Sequence, residues 1–299
     1  MAISRSQLVK ELEPGLNALF GLEYKRYENQ HAEIYATESS DRAFEEEVML
    51  SGFANAQVKG EGSGVSFDEA QETFTARYTH ETVALAFAIT EEAIEDNLYD
   101  RLASRYTKAL ARSMSNAKQV KAVEPLIQGL PTTDGFDSGD GVSLFNTSHP
   151  TVAGVFANTL ATQADLNETS LEQSLIDIGQ MSDERGLRIA ARGVKMIIPS
   201  ELQFTAERLM KSQGRTGTAD NDINAIVSMG MVPQGYRVNN YLTDADAFYI
   251  LTDVPNGMKM FNRAPLTTAM EGDFDTGNVR YKARERYSFG VSDPRGIFG

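Results

Sequence analysis

The sequence of 299 residues predicts an α+β fold, in which a region of alternating helices and strands is joined to one long helix and an extended two-stranded ribbon. Three observations predict this fold. Apolar residues alternate with polar or small ones over residues 72–89, recur every four residues after Thr90, and switch between helical and strand periods beyond residue 160. The composition, with 41% hydrophobic and 23% charged residues, is typical of an ordered protein.

The first element is a predicted N-terminal helix. Pro14 and Gly15 fall in its middle and predict a kink or two short helices. The element either docks on the core of its own chain or forms an arm that contacts another subunit. The apolar residues that share one face of it are Leu8, Leu12, Leu16 and Leu19.

A long ribbon is predicted next, with a glycine-rich tip at Gly60, Gly62 and Gly64. Apolar residues alternate with other residues over 74–78 and again over 83–89, but the second set is shifted in phase by one residue. This shift predicts a bulge or a strong twist near Glu81 and Thr82. Because an isolated ribbon is marginally stable in water, it must fold back on its own body or lie across a neighbour. The alternating residues are Phe74, Ala76 and Tyr78, then Val83, Leu85, Phe87 and Ile89.

The clearest helix is predicted within residues 90–123, with roughly 30 residues and a length of about 45 Å at 1.5 Å per residue. Thr90 is a good N-cap, acidic residues follow it, and Pro125 is expected to end the helix. A loop rich in Gly, Asp and Ser spans residues 128–159, and helices at 165–187 and 200–212 alternate with strands at 194–200, 236–242 and 247–254. A long terminal strand is predicted over 278–293.

Composition excludes several classes of function. The chain has no cysteine, so a disulfide framework, a thiolate metal site and a cysteine nucleophile are absent. The net charge of 28 − 42 = −14 makes tight phosphate binding by the whole chain unfavourable. The charged N-terminal segment does not resemble a signal peptide, and the longest apolar run, residues 83–89, is too short for a membrane span. We therefore expect synthesis in a cytoplasm and no membrane partner.

The decapeptide GVSLFNTSHP, residues 141–150, is the main candidate for a chemical site because it holds one of three histidines, His149, followed by Pro150. No HExxH motif accompanies it. Asp134, Asp137 and Asp140 are three residues apart, whereas a calcium-binding EF-hand loop needs ligands at every second position. The glycines near residue 60 match no phosphate-binding loop. The sequence therefore predicts no cofactor, no metal and no enzymatic activity.

Four cations are predicted to share one face of the terminal strand, with Tyr281 and Tyr287 on the opposite face. They could contact phosphate groups or acidic residues of an adjoining subunit. In a chain of net charge −14 the second alternative is at least as plausible. The cations are Arg280, Lys282, Arg284 and Arg286.

The order of these elements resembles that of tailed-bacteriophage major capsid proteins, which have the Johnson fold of the Hong Kong phage type. The segment SLFNTSHP, residues 143–150, resembles an LF-x-x-x-HP stretch in a branch similar to the Mu-like major head subunit. The order of elements covers nearly the whole chain, but only this segment is sequence-specific. His149 beside Pro150 then becomes a hydrogen-bonded structural anchor of the loop.

The resemblance implies a division into four parts. Residues 1–46 would form the N-terminal arm and residues 47–82 the extended loop, a β-hairpin. Residues 83–129 and 271–299 would form the peripheral domain, whose spine is the long helix. Residues 130–270 would form the α/β axial domain.

The same resemblance implies a structural protein, not an enzyme, that assembles with itself into hexamers and pentamers of an icosahedral head. The head would enclose double-stranded DNA without sequence-specific binding, inside the host bacterium. Portal, scaffolding and decoration proteins are the implied partners. No long scaffold-like segment precedes the arm, which implies a separate or removed scaffold, and no lysine is singled out for cross-linking. The expected inter-subunit contacts are Lys59, Gly60, Gly62, Gly64, Phe67, Arg280, Lys282, Arg284 and Arg286.

Two alternatives stay open at this point. A bacterial nanocompartment shell on the same fold would enclose enzymes in place of DNA. A cytosolic α/β hydrolase or ligand-binding protein would use residues 131–150 as a lid and would depend on His149.

Overall fold

Two four-stranded sheets organise the computed structural model, which describes residues 5–90, 92, 99–130, 136–214, 222–273 and 277–299. The strands are β1 Ala36–Ser39, β2 Phe44–Leu50, β3 Glu72–Thr79, β4 Glu81–Ile89, β5 His149–Thr151, β6 Gly154–Phe156, β7 Gly193–Ile198, β8 Tyr236–Val238, β9 Tyr249–Thr252, β10 Met258–Gly272, β11 Val279–Val291 and β12 Ile297–Phe298. The helices are α1 Arg5–Arg26, α2 Tyr99–Ile127, α3 Glu168–Gln180, α4 Gln203–Lys211 and α5 Ala225–Met229.

The first sheet has the strand order β1-β10-β11-β4, and we name it the peripheral sheet after the predicted domain that contains β11. β1 runs parallel to β10, and the other neighbours are antiparallel. Helices α1 and α2 pack on one face of this sheet, where Leu16, Phe20, Met114 and Tyr281 are buried together. The predicted terminal strand is therefore confirmed as β11, at the centre of the sheet.

The second sheet, with order β12-β9-β7-β8, carries α3, α4 and α5 and has its own apolar core around Leu171, Met196 and Ile250. Asn167 caps α3 through a reciprocal pair of hydrogen bonds with Ser170. A third cluster of buried residues, including Leu144, Phe145 and Ile297, lies between the two sheets. The sequence prediction of an α+β fold is confirmed. The four domain boundaries given above remain predictions.

The structure differs from the sequence prediction in both long helices. Helix α1 continues through Pro14, so the alternative of two short helices is wrong. Helix α2 runs past Pro125 to Ile127, and its predicted start after Thr90 lies outside the described residues. A proline removes one backbone hydrogen bond, and tertiary packing offsets that loss: Leu16 and Phe20 are buried beyond Pro14, and Leu126 is fully buried beyond Pro125.

The ribbon is shorter in its paired part than its sequence pattern predicts. β2 pairs with β3 from Phe44 opposite Thr79 to Leu50 opposite Glu72, and residues 51–71, the ribbon loop, form no strand. The loop contains four glycines and three alanines, residue types that are depleted in strands. The predicted bulge near Glu81 and Thr82 is also wrong, because the chain changes partner at His80: β3 pairs with β2, whereas β4 pairs with β11.

Candidate inter-subunit contact surfaces

The ribbon loop carries apolar side chains that have no place in the core of the chain. Val58 is 99% exposed and Phe67 is 97% exposed. Burying an apolar side chain of this size stabilises a complex by roughly 1.5–3 kcal/mol. Phe44, Val48 and Leu50 are exposed on one face of β2, and Phe53 and Val65 of the loop are exposed as well. Exposed apolar side chains grouped on one element are typical of a protein contact site.

The predicted glycine-rich tip is a tight turn. The Gly60 carbonyl accepts hydrogen bonds from the Ser63 backbone N–H at 3.2 Å and from the Ser63 hydroxyl at 2.7 Å. Gly62 adopts φ +78°, which favours glycine. Lys59 and Gly64 flank this turn and are exposed, so the structure brings the sequence-predicted loop residues together at one end of the ribbon.

One ion pair holds the ribbon loop against the body of its own chain. The Asp68 carboxylate binds the Arg185 guanidinium at 2.6 Å and accepts a hydrogen bond from the Ala54 backbone N–H at 2.7 Å. The hydrogen bond from Ala54 and the neighbouring Arg185 lower the pKa of Asp68 below its usual value. The loop is thus fastened beside Asp68, while Val58 and Phe67 remain exposed.

The ribbon root, where the ribbon meets the body, consists of Ser40, Glu47 and His80 together with Lys259 of β10 and Ser288 of β11. The buried His80 ring forms hydrogen bonds of 2.9 Å to both the Ser40 and the Ser288 hydroxyls. Burial and the nearby Arg286 lower the pKa of His80. Lys259, whose side chain is 8% exposed, pairs with Glu47 at 2.5 Å and with Glu38 at 3.2 Å.

The four cations of the terminal strand, the basic strip, lie where the alternation predicts. Arg280, Lys282 and Arg284 are exposed and Arg286 is half-buried, whereas Tyr281 and Tyr287 are each 1% exposed on the opposite face. Arg280 pairs with Asp273 at 2.5 Å. Lys282 and Arg284 form no ion pair with any residue that the structure describes. The neighbouring positions on β4 that pair with the strip are Thr82, Ala84, Ala86 and Ala88, so the surface beside it is flat.

His149 is wholly buried at the start of β5. Its Nδ1 lies 2.6 Å from Asp140 Oδ2, and its Nε2 lies 3.0 Å from Asn158 Oδ1 and 3.2 Å from the Leu144 carbonyl. Pro150 follows on the surface, in the same strand. A side chain enclosed in this way cannot reach a substrate, so the arrangement argues against the hydrolase alternative that depends on His149.

Sequence reasoning missed the partners of His149 on the far side of Phe156. The His149 ring stacks on Phe156 with centroids 4.8 Å apart, and the Arg295 guanidinium lies 4.1 Å from the centroid of the same ring. Arg295 is 3% exposed and pairs with Glu184 at 2.6 Å. These residues form what we call the His149 cluster: Asp140, His149, Phe156, Glu184 and Arg295. No local pattern signals it, since Glu184 and Arg295 are 111 positions apart.

A family model described as phage capsid protein matches residues 72–298. This chain belongs to the phage capsid protein family. The match includes β3 of the ribbon, the basic strip and the His149 cluster, whereas α1 and the whole ribbon loop precede it. It favours a phage head over the nanocompartment shell that the sequence left as an alternative. The chain is a major capsid protein, and its role in the phage head is structural.

Solved shell structures share the fold of this capsid protein. The capsid of a native GTA particle matches with a TM-score of 0.54 and 14% identity, over 91% of this chain and 90% of that one. The capsid of Myoviridae phage XM1 matches with a TM-score of 0.53 and 12% identity, over 89% of this chain and 87% of that one. A virus-like particle from Pyrococcus furiosus matches with a TM-score of 0.51 and 11% identity, over 95% of this chain and 96% of that one. No curated protein sequence matches this chain.

No helix among the described residues combines the length and apolar character that a membrane crossing needs. No group of three or more histidine, aspartate and glutamate side chains in the described ranges is placed to hold a metal ion.

Proposed function

We propose that the ribbon loop of one copy of this capsid protein lies on a neighbouring copy and that this contact drives assembly of the head. The observation that carries the proposal is the almost complete exposure of Val58 and Phe67 on a loop outside the core of its own chain. A subunit that leaves these side chains in water gains free energy when a second copy covers them. Each contact is weak, and many identical contacts in a closed shell act together.

The basic strip is the second surface in this proposal. Lys282 and Arg284 are exposed cations without a described ion-pair partner, in a chain of net charge −14. Acidic residues of a neighbouring copy complement these cations, the alternative that the net charge of −14 makes at least as plausible as phosphate groups. Exposed ion pairs contribute little to the stability of a complex, but they strongly affect the register of the interface and the rate of association.

The remaining parts of the proposal follow from the resemblance between this chain and other phage head subunits. The copies form hexamers and pentamers of an icosahedral shell, assembled in the cytoplasm of the host bacterium around double-stranded DNA. Residues 130–270 gather at the symmetry axes, and residues 83–129 with 271–299 form the periphery. Portal, scaffolding and decoration proteins contact the shell, and the chain catalyses no reaction.

The experiment replaces Val58 and Phe67 with serine in one variant, V58S/F67S. We expect a folded subunit with an unchanged circular dichroism spectrum and a strong loss of particles in size-exclusion chromatography and negative-stain images. The matched control, N55S/Q57S, changes two exposed polar residues of the same loop and is expected to assemble normally. Normal particle yield from V58S/F67S would contradict the proposal.

A further inference from the structure

The His149 cluster holds the buried pair of His149 and Asp140, whose Nδ1 and Oδ2 atoms lie 2.6 Å apart. The Asn158 side-chain amide donates to the Leu144 carbonyl at 2.6 Å and the Pro294 carbonyl at 3.0 Å. Its oxygen therefore faces His149 Nε2 at 3.0 Å. Burial would raise the pKa of Asp140, but hydrogen bonds from His149 and Ser138 lower it below its usual value, which favours the ionised carboxylate.

This ion pair fixes the loop of residues 136–144. Asp140 Oδ1 accepts hydrogen bonds from the Ser138 hydroxyl at 2.7 Å and the Val142 backbone N–H at 3.2 Å. Between them lies Gly139, with φ +93°. A Cβ atom added there would lie 2.9 Å from Ala76 Cα and 3.0 Å from the Thr75 carbonyl oxygen, both in β3. The loop backbone therefore lies directly against the ribbon.

The other side of the cluster reaches the ribbon at a second point. Arg295, stacked on Phe156, pairs with Glu184. The next residue, Arg185, pairs with Asp68 of the ribbon loop at 2.6 Å. The ribbon is thus contacted at two separate points, Ala76 by Gly139 and Asp68 by Arg185. Gly139 and Arg185 are the sequence neighbours of Asp140 and Glu184, two members of the His149 cluster. Two fixed points on a ribbon define the direction in which it leaves the body.

We propose that His149 and Asp140 are positioning residues for assembly: their ion pair presses the Gly139 backbone against β3 and so, together with the Arg185–Asp68 pair, sets the direction of the ribbon. The proposal rests on the proposed function, in which the ribbon contacts a second copy. A subunit with a misdirected ribbon keeps its apolar loop residues but presents them where the neighbouring copy cannot cover them.

The test uses two glycines of the same loop. Gly139 and Gly141 both have positive φ, +93° and +84°, so alanine is strained at both positions. Only the Cβ of Gly139→Ala meets the ribbon, because nothing lies within 4 Å of a Cβ at Gly141. We expect Gly139→Ala to lower particle yield by roughly tenfold relative to Gly141→Ala, since backbone cannot move aside cheaply. Hydrogen exchange should rise in peptides covering residues 44–79 and stay unchanged in α3 and α4.

A second variant, Asp140→Asn, tests the ion pair without adding volume. We expect faster exchange in the same ribbon peptides and an intermediate loss of particles. Equal yield and equal exchange in Gly139→Ala and Gly141→Ala would overturn the inference, and so would faster exchange throughout the chain in Asp140→Asn. Failure of V58S/F67S to affect assembly would instead overturn the proposed function, so the two failures are distinguishable.

Discussion

The ribbon root and the ribbon loop are parts of one structural element that differ in almost every physical property. At the root, His80 and Lys259 are buried and bound to partners on separate strands. In the loop, Val58 and Phe67 lie almost fully in solvent. The root is therefore held by its own chain, whereas the loop is held there only through Asp68 and, under the proposed function, gains further stability from another copy. This contrast shows that one hairpin can have a fixed, buried base that sets its direction and an exposed end whose side chains remain available for binding.

The largest effect should come from removing the loop and keeping the root. Deletion of residues 56–67 retains Asp68 and its pair with Arg185. We expect a folded subunit that forms no particles, because the main apolar contact surface is gone, as judged by analytical ultracentrifugation. Intact shells from this deletion would show that the loop is not required for assembly.

Next in size is a change at the root. Lys259→Met leaves Glu47 without its buried partner, and we expect the free energy of unfolding to fall by about 2 kcal/mol in urea titrations. Lys282→Met, on the exposed basic strip, is the matched control and should change stability by less than about 0.5 kcal/mol. Equal effects of the two substitutions would remove the distinction between a buried and an exposed lysine.

Acid should weaken the root in a way that depends on His80. Its pKa is lowered in the folded state, so the folded chain resists protonation and stability falls as the pH drops below the ordinary histidine value of about 6.5. His80→Asn, which can still bridge two hydroxyls, should flatten this part of the profile of urea midpoints against pH. His31, whose pKa burial lowers to about 4, accounts for acid sensitivity that survives in His80→Asn. An unchanged profile would exclude His80 as its source.

The smallest effect is expected at the basic strip. Replacement of Lys282 and Arg284 by glutamine should leave the folded subunit intact and make assembly less sensitive to sodium chloride, because screened surface pairs contribute below about 1 kcal/mol each. Light scattering at low and high salt measures the assembly rate and so its dependence on sodium chloride. An assembly rate whose salt dependence matches that of the unmodified chain would exclude the strip as a contact.

Periodicity predicted the parts of this fold that are decided locally. The alternation that buries Tyr281 and exposes Lys282 follows directly from strand geometry. The change of partner at His80 could not be predicted in this way. Apolar residues recur with a period of two in both β3 and β4, and only the tertiary fold assigns the two strands to different sheets. For the same reason Pro14 suggested a break that packing of Leu16 and Phe20 overrides.

The turn and the exposed residues of the candidate contact surfaces were predicted only in part, for related reasons. Glycine spacing located the turn at the ribbon tip, and Phe67 was named with it. Val58 and Leu50 were missed, since an exposed apolar residue cannot be told from a core residue by composition alone. Of the His149 cluster, His149 was identified from the sequence as a loop anchor, and Asp140 was considered only as a metal ligand. The other half of the cluster depends on Arg295, which meets Phe156 through the fold and not through the sequence order.

The single residue that joins β3 to β4 also has a mechanical consequence. On the β3 side only His80 separates the ribbon from the peripheral sheet, whereas residues 40–43 join β2 to β1 on the other side, so tension along β3 passes directly into β4. There it acts as shear across the nine residue pairs that join β4 to β11, which share the load at the same time. The joint that lets one chain serve two sheets therefore also makes the ribbon a tether that can bear force.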